Sequence, residues 1–435
     1  SGAHTVQLKA ASCSGATVTF ATTDKGYKIV YLDGVATNTG VFDTGATGLT
    51  FKEGGTNFTN SLLVGTDTTG TLNAATRNTG VGIGVLAALT SGDNNSVIGN
   101  LSMNKNTTGS DNVAMGVVAL SCNTTGGNNT ALGKGALEIN TTASSNTSVG
   151  NSSMALNTTG ASNTAVGASA LTTNTTGVCN VSMGVSSLFK NSTGVCNTAI
   201  GTRSMQCNTT GDFNSAVGLC SLFSNTTADN NTAVGFETLK ANTTGTNNAA
   251  LGLCSLESNT TGSSNTAVGR QALRENTTAA DNTAIGMNAL VINTTGASNS
   301  AVGACSLICN TTGTLNVAVG KEALAANTTA SENTAVGTFA LKANTTGESN
   351  TALGYNVLAV NTTGDENTGI GKGALDSNTT GDNNVAVGCG ALTANTTASA
   401  NTAVGYCALK TNTTGGNNSG FGIEAVASNT TGTNN

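Results

Sequence analysis

Few residues of this 435-residue chain could do chemistry: eleven cysteines, one histidine and a long series of N-x-[ST] asparagines. His4 has no identifiable partner set, so it reads as a surface residue rather than a general base or ligand. Serines are abundant but lack a histidine to activate them. Acidic residues do not keep the regular aspartate spacing of calcium-binding solenoids, and no glycine-rich stretch follows a phosphate-cradling pattern. Neither catalysis nor a metal or other cofactor is expected. Cys13 lies near the start, and the other ten cysteines follow no metal-ligand spacing, which suits small neutral fillers. One pair is different. Cys179 and Cys196 are seventeen residues apart, a spacing that matters below. Asn106, Asn123, Asn140, Asn157 and Asn174 all satisfy the glycosylation pattern, and so do their successors to Asn429. Two readings stand: a row of glycans, or structural asparagines in turns and ladders.

The element that positions these residues is a period of seventeen. Glycine recurs at every seventeenth residue from Gly82 to Gly422, and asparagine does so from Asn78 to Asn435. A second asparagine opens NTTG, NTTA or NSTG from Asn106 to Asn429. Without an insertion or deletion, each copy must stack on the last. Numbered from that second asparagine, the unit is N-T-T-G-x-x-N-T-A-V-G-x-x-A-L-x-x. Glycine, asparagine and threonine disfavour helix, and nothing recurs at 3.6. The expectation is an all-β fold, a β-solenoid (β-roll) of about 21 coils rising about 4.8 Å each, with short strands at T-A-V and around A-L. Ladder residues are then Asn106, Asn112, Gly116 and Leu120 in one coil and Asn231, Gly235 and Leu239 in another. Stacking also places Cys179 over Cys196, within disulfide reach in an oxidising compartment.

Charge falls only at positions 5, 6, 12, 13, 16 and 17 from Asn106 onward. The large apolar residues of position 10 (Val217, Ile285, Leu353) are expected to face the coil interior. Position 9 then points outward, because strand side chains alternate. Yet from Asn106 onward it holds only Ala, Ser or Gly, and position 14 only Ala, Ser, Thr or Val. Either tight packing within the chain restricts these sites or another chain covers them, and a thin core favours a partner.

Residues 1–65 lack the period and carry Phe20, Tyr27, Tyr31, Phe42, Phe51 and Phe58; they read as a small N-terminal β-domain with strands near 5–9, 16–22 and 27–32. Residues 66–77 read as a transition and 78–435 as the rod. A net charge of −6 without basic clusters argues against nucleic acid, and no apolar run approaches the roughly 20 residues of a membrane span. Asn435 falls in mid-repeat, so a continuation is expected.

The segment N-T-A-[VI]-G-x-x-[AS]-L, as in 231–239 and 265–273, resembles the coil motif in the head of trimeric autotransporter adhesins and is similar to repeats of phage-type tail fibres. The resemblance implies a β-roll that trimerises and a fibre that attaches to surfaces. The period here is longer than in that head, and these 435 residues hold no pattern of a coiled-coil stalk, membrane anchor or chaperone domain. The expected function is a structural fibre or filament subunit, extracellular or on a cell or virion surface. Its expected partner is itself, as a homotrimer or end to end through the N-terminal domain. The alternatives are a glycan-binding adhesin, with its contacts outside the repeats, and an ice-binding solenoid. Adjacent threonines of an extended T-T pair point to opposite sides, which leaves the ice reading one row per face.

Overall fold

The computed structural model describes residues 6–9, 17–20, 41–42, 51–66 and 69–435, and the chain divides into two compact units, Ser1–Asn38 and Thr39–Asn435. In the first unit, strands Val6–Lys9 and Thr17–Phe20 pair antiparallel. Residues 27–32, expected as a strand, lie outside the described residues, as do His4 and Cys13.

The second unit is a parallel β-solenoid. Twenty-one strands of three residues, from Thr79–Val81 to Ser419–Phe421, each pair with the neighbour seventeen residues away. Register is one to one, so Ala216 faces Ala233 and Val217 faces Val234. Parallel pairing at the same spacing begins earlier than Asn78: Phe58–Thr59 pairs with Ala75–Thr76, and Leu62–Val64 with Thr79–Val81. Phe58 is wholly buried there, in the same core as the coils. Beyond Leu62–Val64 the sheet continues antiparallel into Phe51–Glu53 and then Val41–Phe42.

Each coil contains one strand, not two. Positions 12–17, where a second was expected around A-L, form turns. Leu120, Leu239 and their equivalents at position 15 take φ near +50°, as Leu120 at 53° and Leu239 at 52° show. That left-handed backbone cannot continue a strand and costs about 1–2 kcal/mol per residue. It is retained because the turn still bonds to its neighbours: Leu239 N–H donates to Ser255 O at 3.0 Å. It also turns the leucine inward, where it is fully buried.

Gly235 shows why position 11 never varies. Its φ is +138°, and a Cβ built there would lie 2.5 Å from Gly252 O on the next coil. Position 4 is a useful contrast. It takes alanine at Ala143, Ala228, Ala279, Ala330 and Ala398, so close packing there can relax where a positive φ cannot.

The core inverts one expectation. Ala216, Ala267 and the other position-9 alanines are buried, as are the position-15 leucines and, short of Ala425 in the last coil, the position-14 alanines and serines. Position 10 faces out: Val217 is 37% exposed, Ile285 40% and Leu353 46%. Parity explains it. Asn231 at position 7 is buried, so alternation sends 8 out, 9 in and 10 out, as the pattern of Thr232–Val234 shows. A coil closed by so short a strand leaves room mostly for alanine or serine opposite leucine, with an occasional valine or threonine, as at Val97, Thr238 and Val357. Positions 9 and 14 are small because they fill this coil's own interior, not because another chain covers them.

Candidate functional site

Two buried columns of asparagine hold the coils in line. At position 1, Asn106 Nδ2 donates to Gly109 O at 2.9 Å, while its Oδ1 accepts from Asn123 Nδ2 at 2.8 Å. At position 7, Asn112 N–H donates to Asn95 Oδ1 at 3.1 Å, and Asn112 Nδ2 donates to Gly126 O at 3.0 Å. These amides pair turn groups that the strand ladder cannot reach. Threonine at position 2 adds a further column, with Thr107 Oγ1 donating to Thr124 O at 3.0 Å. Its neighbour Thr108 is exposed, so a single threonine row faces solvent on that side.

The same geometry decides between the two readings of the sequons. Asn106, Asn123, Asn140, Asn157 and Asn174 are all 0% exposed. Asn174 Nδ2, the atom a glycan would need, donates to Asn157 Oδ1 at 2.8 Å and to Gly177 O at 3.0 Å. A glycan would take the place of one Nδ2 hydrogen and so break one of these two bonds, and a side chain with no exposed surface leaves it no path out of the coil. Their part in the folded stack is structural.

Cys179 and Cys196 sit at position 6 on adjacent coils, both exposed and both held at positive φ, 57° and 55°. They are free thiols in the structure. The Cys196 thiol is pushed up by partial burial first, then by the charge of Cys179 and a hydrogen bond with it. A second cluster joins Glu237, Cys254 and Glu257, whose ligand-capable atoms lie within 4.8 Å of one another. Burial, then the two carboxylates, push the Cys254 thiol up to about 11. The Lys240 ammonium sits 2.9 Å from Glu237 Oε1 and already supplies positive charge to that node.

The most extensive surface feature is the outward face of the sheet. Position 10 is Val, Ile, Leu, Met or Phe in all 21 coils, and position 8 beside it is Thr, Ser, Val or Ala. Neither carries a charge in any coil. Exposed members run from Val81 through Met115, Met183, Ile200 and Leu251 to Phe421. Water therefore meets an unbroken apolar column beside a largely hydroxyl-bearing one.

One feature crosses columns and escapes a column-by-column reading. Phe339 at position 13 and Tyr355 at position 12 of the next coil meet edge to face, their centroids 6.1 Å apart. Lys342 Nζ lies 4.7 Å from the Phe339 centroid and 2.9 Å from Glu322. The repeats thus carry an aromatic pair of their own. Its signal in the sequence is two aromatics sixteen residues apart, one short of the period.

Among the described residues, no helix is long and apolar enough to cross a membrane. No known protein family, curated protein or solved structure matches this chain.

Proposed function

We propose that the chain is a structural subunit of an extracellular, cell-surface or virion-surface fibre, without catalysis, that associates with copies of itself through the outward sheet face. The observation that carries this reading is the uncharged apolar column at position 10. Contiguous exposed apolar patches above a few hundred Å² mark interaction sites. A third to a half of one large side chain per coil gives on the order of 1,000 Å² of apolar surface, comparable with the roughly 800 Å² each partner gives to a standard interface. A commensurate repeat suits a second copy best, since two stacks with the same rise keep every contact in phase. The resemblance of N-T-A-[VI]-G to adhesin-head coils supports three chains as the number.

The test is the mass of the particle in solution. Wild-type protein is expected as a trimer by light scattering after gel filtration. The triple variant Val217→Lys, Val268→Lys, Val319→Lys is expected as a monomer with an unchanged far-ultraviolet spectrum. A wild-type monomer at high micromolar concentration, or a triple variant that still associates, would overturn the proposal. Electron microscopy then separates fibres of fixed length from an end-to-end filament of indefinite length.

A second reading, attachment to glycans by the rod itself, is favoured by the Phe339–Tyr355 cluster alone.

A further inference from the structure

We infer that the trough beside Phe339 and Tyr355 is a binding site for a neutral or N-acetylated oligosaccharide. The trough is shallow and open along its length, with about 700 Å³ of space over its floor, and runs across five successive coils from Ile308 to Asp376, a shape that suits an extended ligand. Its floor exists because Ala325, Ala326, Ala343 and Ala359 stand at positions 16 and 17. Other coils place Lys240, Arg274 or Glu275 at those positions, which would fill the same space.

Three observations select the occupant. Tyr355 is 48% exposed, and its ring meets that of Phe339 edge to face, a contact that limits the ring's freedom. A fixed, half-exposed ring suits the C–H face of a sugar, because it is rigid and binds at little entropic cost. At one end, Asp376 is half-buried and has neither an ion pair nor a hydrogen bond, and burial raises its pKa above the usual carboxylate range. A partly desolvated carboxylate without a partner is a strong acceptor, suited to a pair of hydroxyls. Asn356 and the Lys342 ammonium line the same trough and add donors.

Other ligand classes fit less well. An extended peptide would need a free backbone edge, and the coil edges beneath are bonded to one another, as in Asn356 N–H to Thr338 O at 3.2 Å. An anionic ligand would meet Asp376. A purely apolar ligand would bury that carboxylate without compensation. Phe339 already has Lys342 and Lys321 near its ring, at 4.7 and 5.9 Å, so a cationic ligand would be repelled there.

The site uses positions 12, 13, 16 and 17, not 8 and 10, so it stands or falls separately from self-association. The full chain is titrated by calorimetry with cellotetraose, maltotetraose and chitotetraose, with a tetramethylammonium salt as cation probe, and is applied to an array of immobilised cell-surface glycans. At least one tetrasaccharide is expected to bind with Kd below about 1 mM. Tyr355→Ala and Asp376→Asn should each weaken it by about tenfold or more, while Tyr406→Ala, another exposed tyrosine outside the trough, binds as wild type. Circular dichroism confirms that the variants remain folded. Array binding lost with the same two variants assigns the source to surface glycans, and binding to soluble tetrasaccharide alone assigns it to free saccharide. No saccharide binding at 10 mM on any arm, binding of tetramethylammonium instead, or tetrasaccharide binding indifferent to Tyr355→Ala and Asp376→Asn would each overturn the inference.

Discussion

Asn231 sits out of water with its Oδ1 accepting from Asn248 N–H at 3.0 Å and its Nδ2 donating to Gly245 O at 2.9 Å. Replacing it by alanine strands both partners in the coil interior. A buried polar group left unpaired costs about 1–3 kcal/mol, so Asn231→Ala is expected to lose about 2–5 kcal/mol, read as a lower urea midpoint and faster amide exchange in the coils beside it. An exposed residue such as Thr227, outside the left-handed region and without a side-chain hydrogen bond, has no such partner set, and Thr227→Ala should change little. The cysteine pair gives a second outcome at this scale. Oxidised under mild conditions, Cys179 and Cys196 are expected to form a bridge between adjacent coils, detected by peptide mapping without reductant; both recovered as free thiols would end that expectation. Asp376 supplies a pH test. Its folded pKa is raised by burial, so the proton is held more tightly in the folded chain. Ionisation therefore costs stability as pH rises from the unfolded to the folded pKa, and the cost is absent below the unfolded value. Asp376→Asn should be slightly more stable than wild type at neutral pH, by about 0.5 kcal/mol or less given solvent screening, with the gap closing in acid.

At the scale of the strand, three residues carry the whole distinction between core and surface. The period, the place of the strand at T-A-V and the need for glycine after it were legible because each is written some twenty times. Which side of the strand faces in was not legible from hydrophobicity, since the rule that large apolar residues go inside runs only one way. The informative residue was Asn231 and its equivalents. An asparagine invariant at position 7 is a buried, fully bonded amide, and counting two from it puts alanine inside and valine outside. The position-15 leucine was placed in a strand, because nothing in its side chain announces a left-handed backbone. The parity can be tested directly. Ala267→Leu should overpack the interior and cost about 1–3 kcal/mol, whereas Val268→Leu, one residue on, should stay within about 0.5 kcal/mol. Thermal melts of the two variants decide it, and the reverse order would mean the strand faces the other way. The Phe339–Tyr355 cluster was hidden for a different reason: it joins position 13 of one coil to position 12 of the next, and a reading by columns compares only like with like.

At the scale of the stack, every coil bonds only to the coils on either side, so stability should be a sum of nearest-neighbour terms rather than the property of one core. Removing residues 276–292, one complete coil, joins Glu275 to Asn293 and restores position 17 to position 1. Asn293 Nδ2, which donates to Asn276 Oδ1 at 3.0 Å, then finds Asn259 Oδ1 in the equivalent place. Expected is a folded protein with an unchanged circular dichroism per residue and a small fall in melting temperature. Removing only residues 276–283, about half a coil, is a smaller deletion with a larger effect. It interrupts both asparagine columns and shifts every later alanine and valine out of line with its counterpart, so the ladder ends at the junction. Limited proteolysis should then cut near the new junction and nowhere else in the coils, while the full-coil deletion resists. If the half-coil deletion is as resistant as the whole-coil one, register along the stack is not what holds the molecule together.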